Sequence, residues 1–228
     1  MNLILNIDTA VETASVCLAK EGESINFSIN EDPKAQASWL HQAIAGIFQN
    51  TGFGMQDLKA VAVSIGPGSY TGLRIGLSAA KGLCFALNIP LISIGTLDMM
   101  AFAAKDEEAD LVCPMIDARR MEVFTALYNK RSEHVIPPQA MTITENSFSK
   151  FLSNHKIIFL GNGSKKLQTI ISGNNAEFSS VQATAVHLAS LSNIEFKKNH
   201  FADLAYVEPQ YLKDFYTLPN PFAQKSSY

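Results

Sequence analysis

The chain has 228 residues, 47% of them apolar, which is enough to bury a sizeable core in one large domain or two small ones. Its formal net charge is −3, so its composition does not predict a protein that grips nucleic acid by itself. The three cysteines form no CxxC pair, which is typical of a reducing compartment and argues against a disulfide framework. No signal-peptide pattern and no membrane-length apolar run occurs, so we expect a soluble, cytoplasmic protein that does not enter a membrane.

The first half of the chain predicts strands that alternate with helices. An apolar run at 3–7 ends at Asp8, and two further strands follow, joined near Gly22. Apolar side chains at helical spacing predict a helix over 35–50. The elements expected after it are a buried strand at 60–65, a helix from about 71 to 88, a strand at 91–95, and a helix from 96 with Thr96 as its N-cap.

The second half begins after the charge run at 105–110 and repeats the opening of the first. Ile116-Asp117 followed by an apolar strand parallels Ile7-Asp8 followed by another. A later strand at 156–160 leads through a glycine turn into a helix, and a helix is expected at 185–192. We therefore predict two similar α/β units, residues 1–107 and 108–228, with mainly parallel sheet and with the C-terminal tail packing back on the body.

The glycine-rich turn at 66–72 resembles a phosphate-binding loop but lacks the lysine and spacing of one. It also departs from the dinucleotide fingerprint and from the serine nucleophile elbow. The helix after it is apolar on most of its circumference, with small residues at Gly76, Ala79 and Gly82. That side could meet a second protein, or the first helix of the chain's own domain could cover it.

Asp8 with Thr9, and Asp117 with Arg119, stand where strands end, at positions suited to phosphate or metal contacts. An aspartate in such a turn can equally bond its own backbone. The five histidines are far apart in the sequence, with no HxxH or cysteine partner, so we expect no metal site. Four basic doublets are scattered and read as solvated surface: Arg119-Arg120, Lys130-Arg131, Lys165-Lys166 and Lys197-Lys198.

Four segments, taken together in this order, resemble the bacterial TsaB (YeaZ) family: ILNIDTA, GPGSYTGLRIGLSAAKGL, IDARRMEVF and EPQYLKDF. The chain departs from the family before the first helix, where it has Gln36-Ala37-Ser38-Trp39 in place of a His-Ser start, and at Lys213, where arginine is usual. The resemblance implies an actin-like fold, shared with sugar kinases and chaperone ATPases, of two related α/β domains.

The resemblance also implies a non-catalytic scaffold in the formation of threonylcarbamoyladenosine beside the anticodon of tRNAs that read codons beginning with A. The implied partners are a TsaD-like catalytic subunit and a TsaE-like ATPase, with a homodimer when the chain is alone and tRNA bound only through the complex. No cofactor is expected for the chain itself, and ATP or ADP only together with its partners.

The partner surface is expected on the two helices, at Trp39, Ala43, Ile47, Thr71, Arg74, Ile75, Gly76, Ala79, Gly82 and Leu83. Nucleotide contacts are expected at Asp8, Thr9, Asp117, Gly161 and Gly163. An ATP-dependent kinase or phosphotransferase of the same superfamily is the alternative, since the GNGS turn at 161–164 stands where that fold touches adenosine. A peptidase is a further alternative, for which no Ser/His/Asp set is found.

Overall fold

The computed structural model describes residues 2–30, 32, 35–171 and 173–213, and contains two five-stranded mixed sheets. The strands of the first sheet are β1 (Leu3–Asp8), β2 (Ala14–Lys20), β3 (Glu23–Asn30), β4 (Ala60–Ser64) and β5 (Leu91–Ile94). Those of the second are β6 (Leu111–Asp117), β7 (Glu122–Asn129), β8 (His134–Thr142), β9 (Ile157–Leu160) and β10 (Ala176–Phe178). The helices are α1 (Gln36–Ile47), α2 (Tyr70–Leu87), α3 (Thr96–Ala103), α4 (Ser149–Leu152), α5 (Ser164–Gln168) and α6 (Ala185–Lys197).

The two sheets have the same topology. The first has the order β3-β2-β1-β4-β5, and the second the order β8-β7-β6-β9-β10 when read from the matching edge. In each sheet, the first three strands along the chain pair in an antiparallel manner, and the two later strands run parallel to the first strand. One helix precedes each of the two later strands, and a further helix follows the last strand. The predicted duplication is confirmed, and this architecture is the actin-like fold.

Local sequence explains the two ends of α2 and the edge position of β8. Ser69 is the N-cap of α2 and accepts a hydrogen bond from the Gly72 backbone N–H at 3.2 Å, and the helix ends at Asn88, which is left-handed with φ 52°. Strand β8 contains Pro137 and Pro138, which an edge strand can tolerate because half of its N–H groups have no partner strand. The Thr96 N-cap prediction is wrong: Gly95 is the cap, and the Thr96 hydroxyl accepts from the Gly66 N–H at 3.1 Å.

The last helix of each half packs on the sheet of the other half. Helices α1 and α2 cover one face of the first sheet in the chain's largest apolar cluster. Its other face is covered by α6, whose Leu188 packs against Ile4 and Ile92. Helix α3 in turn contributes Leu97 and Met100 to the core of the second sheet. We call this arrangement the helix exchange.

Polar contacts fix α6 on the first sheet. The Ala185 N–H at its start donates to the Ser15 hydroxyl of β2 at 2.8 Å. Further along, the buried Ser192 hydroxyl donates to Asn6 Oδ1 of β1 at 2.6 Å. These bonds define the angle at which the helix crosses the sheet, which apolar packing alone would leave loosely determined.

The chain after α6 returns to the first half. Ala202 bridges to Leu91, and the Gln210 N–H donates to the Ile65 carbonyl at 2.7 Å. Lys213 then pairs with Glu122 of β7. The tail therefore packs back on the body as far as Lys213, and Asp214 and Phe215 of the EPQYLKDF motif lie outside the described residues. Within the described ranges, none of the helices is long and apolar enough to cross a bilayer.

Candidate functional site

A cleft of about 620 Å³ lies between the two sheets, where β1 and β6 end. The first half lines it with the loop after β1 and the start of α2, including Glu12 and Tyr70. The second half contributes Asp117, Arg119 and Asn162. Asn162 closes one side, since its Oδ1 accepts from the Asp117 N–H at 2.8 Å and its Nδ2 donates to Glu12 at 3.2 Å.

Asp8 does not line this cleft. Its side chain is fully buried, and Oδ1 accepts from the Ser64 hydroxyl at 2.5 Å and from the Ala10 N–H at 3.1 Å. Its Oδ2 is buried without a hydrogen-bond partner among the described residues. Burial raises the pKa of Asp8 to about 6, although both hydrogen bonds oppose that rise. The contact of this carboxylate with a nucleotide that the sequence predicted is therefore not available in this conformation.

Thr9 is also fully buried, and it explains the glycines that follow. Its hydroxyl donates to the Gly72 carbonyl at 2.7 Å. A Cβ at Gly72 would overlap the Thr9 carbonyl, and one at Gly76 would overlap the Thr9 hydroxyl. The glycine-rich segment thus lets the start of α2 approach the end of β1 closely, in place of cradling a phosphate.

Asp117 occupies the equivalent position in the second half but is exposed. It accepts from Lys166 Nζ and from the Arg119 N–H, both at 2.6 Å. The hydrogen bond with Lys166 is the largest cause that lowers the pKa of Asp117. Both aspartates bond the backbone two residues later, Ala10 and Arg119 respectively, so each closes its own turn.

Neither of the two glycines predicted to touch a nucleotide lines the larger cleft. Gly163 is buried, and Gly161 lines an adjoining cavity of about 120 Å³ that shares Val11, Glu12 and Asn162 with the cleft. Of the five predicted nucleotide contacts, Asp117 alone borders the cleft. Sequence reasoning missed Gln36, Tyr70 and Asn162 there, because each belongs to a different element and no motif joins them.

The predicted partner surface on α1 and α2 divides into exposed and buried parts. Thr71 and Gly82 are exposed, whereas Trp39, Ile75 and Leu83 are half-buried. Ala43 and Ala79 keep less than a tenth of their surface exposed, and Ile47 is 2% exposed in the core. Gly76 faces Thr9, so its predicted place in a groove for a partner is wrong.

The opposite flank of α2 carries Arg74, which the sequence also assigned to the partner surface. Its guanidinium lies 3.9 Å from the centre of the Tyr70 ring, and its Nε donates to the Tyr211 hydroxyl at 3.1 Å. Lys81, two turns on, donates to the carbonyls of Ala205 and Val207 at 3.3 and 3.2 Å. The C-terminal segment thus covers this flank, and a strip containing Thr71, Ile75 and Gly82 stays open.

The comparisons with known proteins agree with this architecture. Residues 32–221 match the model of the family described as "TsaD: tRNA N6-adenosine threonylcarbamoyltransferase". The chain belongs to this family. A curated relative from Bacillus subtilis, "tRNA threonylcarbamoyladenosine biosynthesis protein TsaB", is 29% identical over 92% of this chain and 93% of its own length. The relative of the same name from Escherichia coli is 37% identical over 56% of this chain and 55% of its own.

A solved structure described as "YeaZ from Pseudomonas aeruginosa" has a TM-score of 0.80 and 25% identity, covering 93% of this chain and all of the other. The resemblance to the TsaB (YeaZ) family is therefore confirmed within the wider TsaD family.

No group of three His, Cys, Asp or Glu side chains that could hold a metal ion occurs in the described ranges.

Proposed function

We propose that this chain is a non-catalytic scaffold subunit in the biosynthesis of threonylcarbamoyladenosine in tRNA. Two curated relatives named for that biosynthesis align with 92% of this chain. The observation that supports a scaffold over an enzyme is the burial of Asp8, the counterpart of Asp117 in the first half, which keeps that carboxylate out of contact with a ligand in the cleft. A superfamily kinase would need that carboxylate within reach of its substrate or of a metal.

The partners proposed are a TsaD-like catalytic subunit and a TsaE-like ATPase in the cytoplasm, with tRNA bound through the complex. The chain itself needs no cofactor in this proposal, and ATP or ADP binds only in the assembly. The docking surface proposed is the open strip of α2 at Thr71, Ile75 and Gly82 with Trp39 of α1 beside it. In the absence of its partner, the chain uses the same strip to form a homodimer.

An omission experiment tests the scaffold role. The chain is mixed with a TsaD-like protein, a TsaE-like protein, tRNA, ATP and an activated threonylcarbamoyl donor, and each protein is left out in turn. We expect modified adenosine only when the chain is present, and no ATP hydrolysis by the chain alone. Turnover by the pure chain that vanishes in Asp117→Asn would instead favour the kinase alternative.

Gly82→Arg tests the docking strip. A Cβ at Gly82 meets no heavy atom within 4 Å, so the arginine can be accommodated without disturbing the fold. A bulky charge at the centre of a helix contact should reduce association at least a hundredfold. The matched control is Gly82→Ala, which should associate normally. If Gly82→Arg binds the TsaD-like partner as the wild type does in a pull-down and in titration calorimetry, the strip is not the interface.

A further inference from the structure

The hairpin between β6 and β7 carries two exposed arginines in an unfavourable backbone conformation. Arg119 and Arg120 have φ angles of 68° and 48°, in a region that glycine, asparagine and aspartate occupy most readily. Neither side chain is buried, so packing does not explain why arginine stands at both positions. Strained residues that no packing explains are often found at functional sites.

The fold brings a second basic doublet to this hairpin. Lys166 Nζ donates to Asp117 Oδ1 at 2.6 Å and to the Glu122 carbonyl at 2.9 Å, and Lys165 precedes it at the start of α5. Lys213 arrives from the C-terminal segment and pairs with the Glu122 carboxylate. We call this cluster the basic rim, and its members are Arg119, Arg120, Lys165, Lys166 and Lys213.

The basic rim contains more cations than neighbouring carboxylates. Its two neighbouring carboxylates, Asp117 and Glu122, are each engaged by a lysine. Among the described residues, no ion pair involves the side chains of Arg119, Arg120 or Lys165. The chain as a whole has a formal net charge of −3, so this cluster of cations runs against the overall composition, even with Glu12 on the other side of the cleft.

The shape of the rim suits an extended anion. Arg119 borders the cleft, whereas Arg120, Lys165 and Lys213 lie outside its lining. A mononucleotide held in the cleft would therefore meet only Arg119 of these cations, whereas a longer chain of phosphates could also reach Arg120 and Lys165, which are exposed outside the cleft. Guanidinium groups bind phosphate oxygens in a bidentate manner.

We propose that the basic rim contacts the phosphate backbone of the RNA that is modified, when the chain acts within its complex. This inference rests on the proposed function. Three unpaired cations give little affinity at physiological salt by themselves, which agrees with the expectation that tRNA is bound through the complex.

The double substitution Arg119→Asn and Arg120→Gly tests the rim, because it removes both charges and introduces residues that favour the observed φ angles. A second variant adds Lys165→Ala. The matched control is Lys130→Ala with Arg131→Ala, which removes a similar doublet from the exposed turn at the opposite end of β7, about 25 Å away. Complexes assembled with each form are titrated with a fluorescently labelled tRNA transcript at several salt concentrations.

For the triple variant we expect a loss of tRNA affinity on the order of tenfold, and a slope of log K against log salt that is shallower by about 2. The melting temperature should stay the same or rise. The complex with the control variant should bind tRNA as tightly as the wild-type complex does. Together these results would separate a phosphate contact from a structural role.

Two outcomes would refute the proposal that the basic rim contacts RNA, and each is compatible with the scaffold function. In the first, the omission experiment shows that the chain is required, yet the triple variant keeps wild-type affinity and salt slope. In the second, the variant loses affinity for ADP in the complex while its tRNA slope does not change, which would assign the arginines to a nucleotide. A chain that is dispensable for modification would instead refute the proposed function.

Discussion

The buried carboxylate of Asp8 makes the stability of this protein depend on pH in a predictable direction. Its pKa rises from 3.8 to about 6 in the folded chain because burial disfavours the charged form. A folded state that holds the proton more tightly than the unfolded state is most stable when both are protonated, below about pH 4. Stability is then lost as the pH rises to about 6, and above this the loss is complete.

The magnitude follows from the shift. A difference of about 2 pKa units corresponds to about 3 kcal/mol, at about 1.4 kcal/mol for each unit. Asp8→Asn removes this titration while its Oδ1 can still accept from Ser64 and Ala10. The new amide N–H₂ adds a cost of its own, since the Oδ2 it replaces has no partner among the described residues, but that cost does not vary with pH.

The assay is equilibrium urea unfolding of wild type and Asp8→Asn at pH 4, 5, 6 and 7, followed by circular dichroism. We expect the free energy of unfolding of the variant, relative to the wild type, to improve by about 2.4 kcal/mol from pH 4 to pH 7, since part of the full change already lies below pH 4. Asp117→Asn is the control and should change little from pH 4 to pH 7, because Lys166 lowers the pKa of that exposed carboxyl and its contribution is lost only as the pH falls below about 4. A difference for Asp8→Asn that is the same at pH 4 and pH 7 would refute the argument from burial.

Three further predictions concern packing and reactivity. Gly76→Ala should destabilise the fold by about 1–3 kcal/mol in urea unfolding because its methyl group overlaps the Thr9 hydroxyl, whereas Gly82→Ala on the same helix should stabilise it by up to about 1 kcal/mol. Ser192→Ala should cost about 1–3 kcal/mol by leaving Asn6 Oδ1 without its donor, and a smaller loss would show that water or another donor replaces the hydroxyl. The thiols should react slowly with a disulfide reagent in the native protein and all at once on unfolding, since burial raises the pKa of Cys84 to about 11 and that of Cys113 to about 12; a fast native phase would contradict this.

The sequence predicted the first half of the fold well because its periodic signals are strong there. Helices α1 and α2 and the strand between them lie within a few residues of their expected positions. The duplicated Asp-bearing turn indicated two equivalent units, and both sheets share one topology. By contrast, the prolines of β8 hid an edge strand, and the four-residue α4 is too short to show a period.

The candidate site was less predictable, because it depends on long-range contacts. Asp8 and Asp117 have similar local sequences, but the first is fully buried and bonded to Ser64, while the second faces solvent beside Lys166. The basic doublets were read as scattered, and no local pattern could show that two of them meet at one end of the second sheet. The inward orientation of Gly76 similarly depends on how closely α2 approaches β1.

The helix exchange has a consequence for how the chain matures during synthesis. The face of the first sheet that carries Ile4 and Ile92 stays uncovered until α6 has emerged from the ribosome and crossed back to it. The core of the first sheet can therefore be completed only after nearly the last element of the described chain has been synthesised, and until then its strands expose apolar surface to the surrounding cell. Neither half can finish folding as a nascent fragment, so a ribosome that stalls between residues 110 and 180 should leave an aggregation-prone product that depends on chaperones.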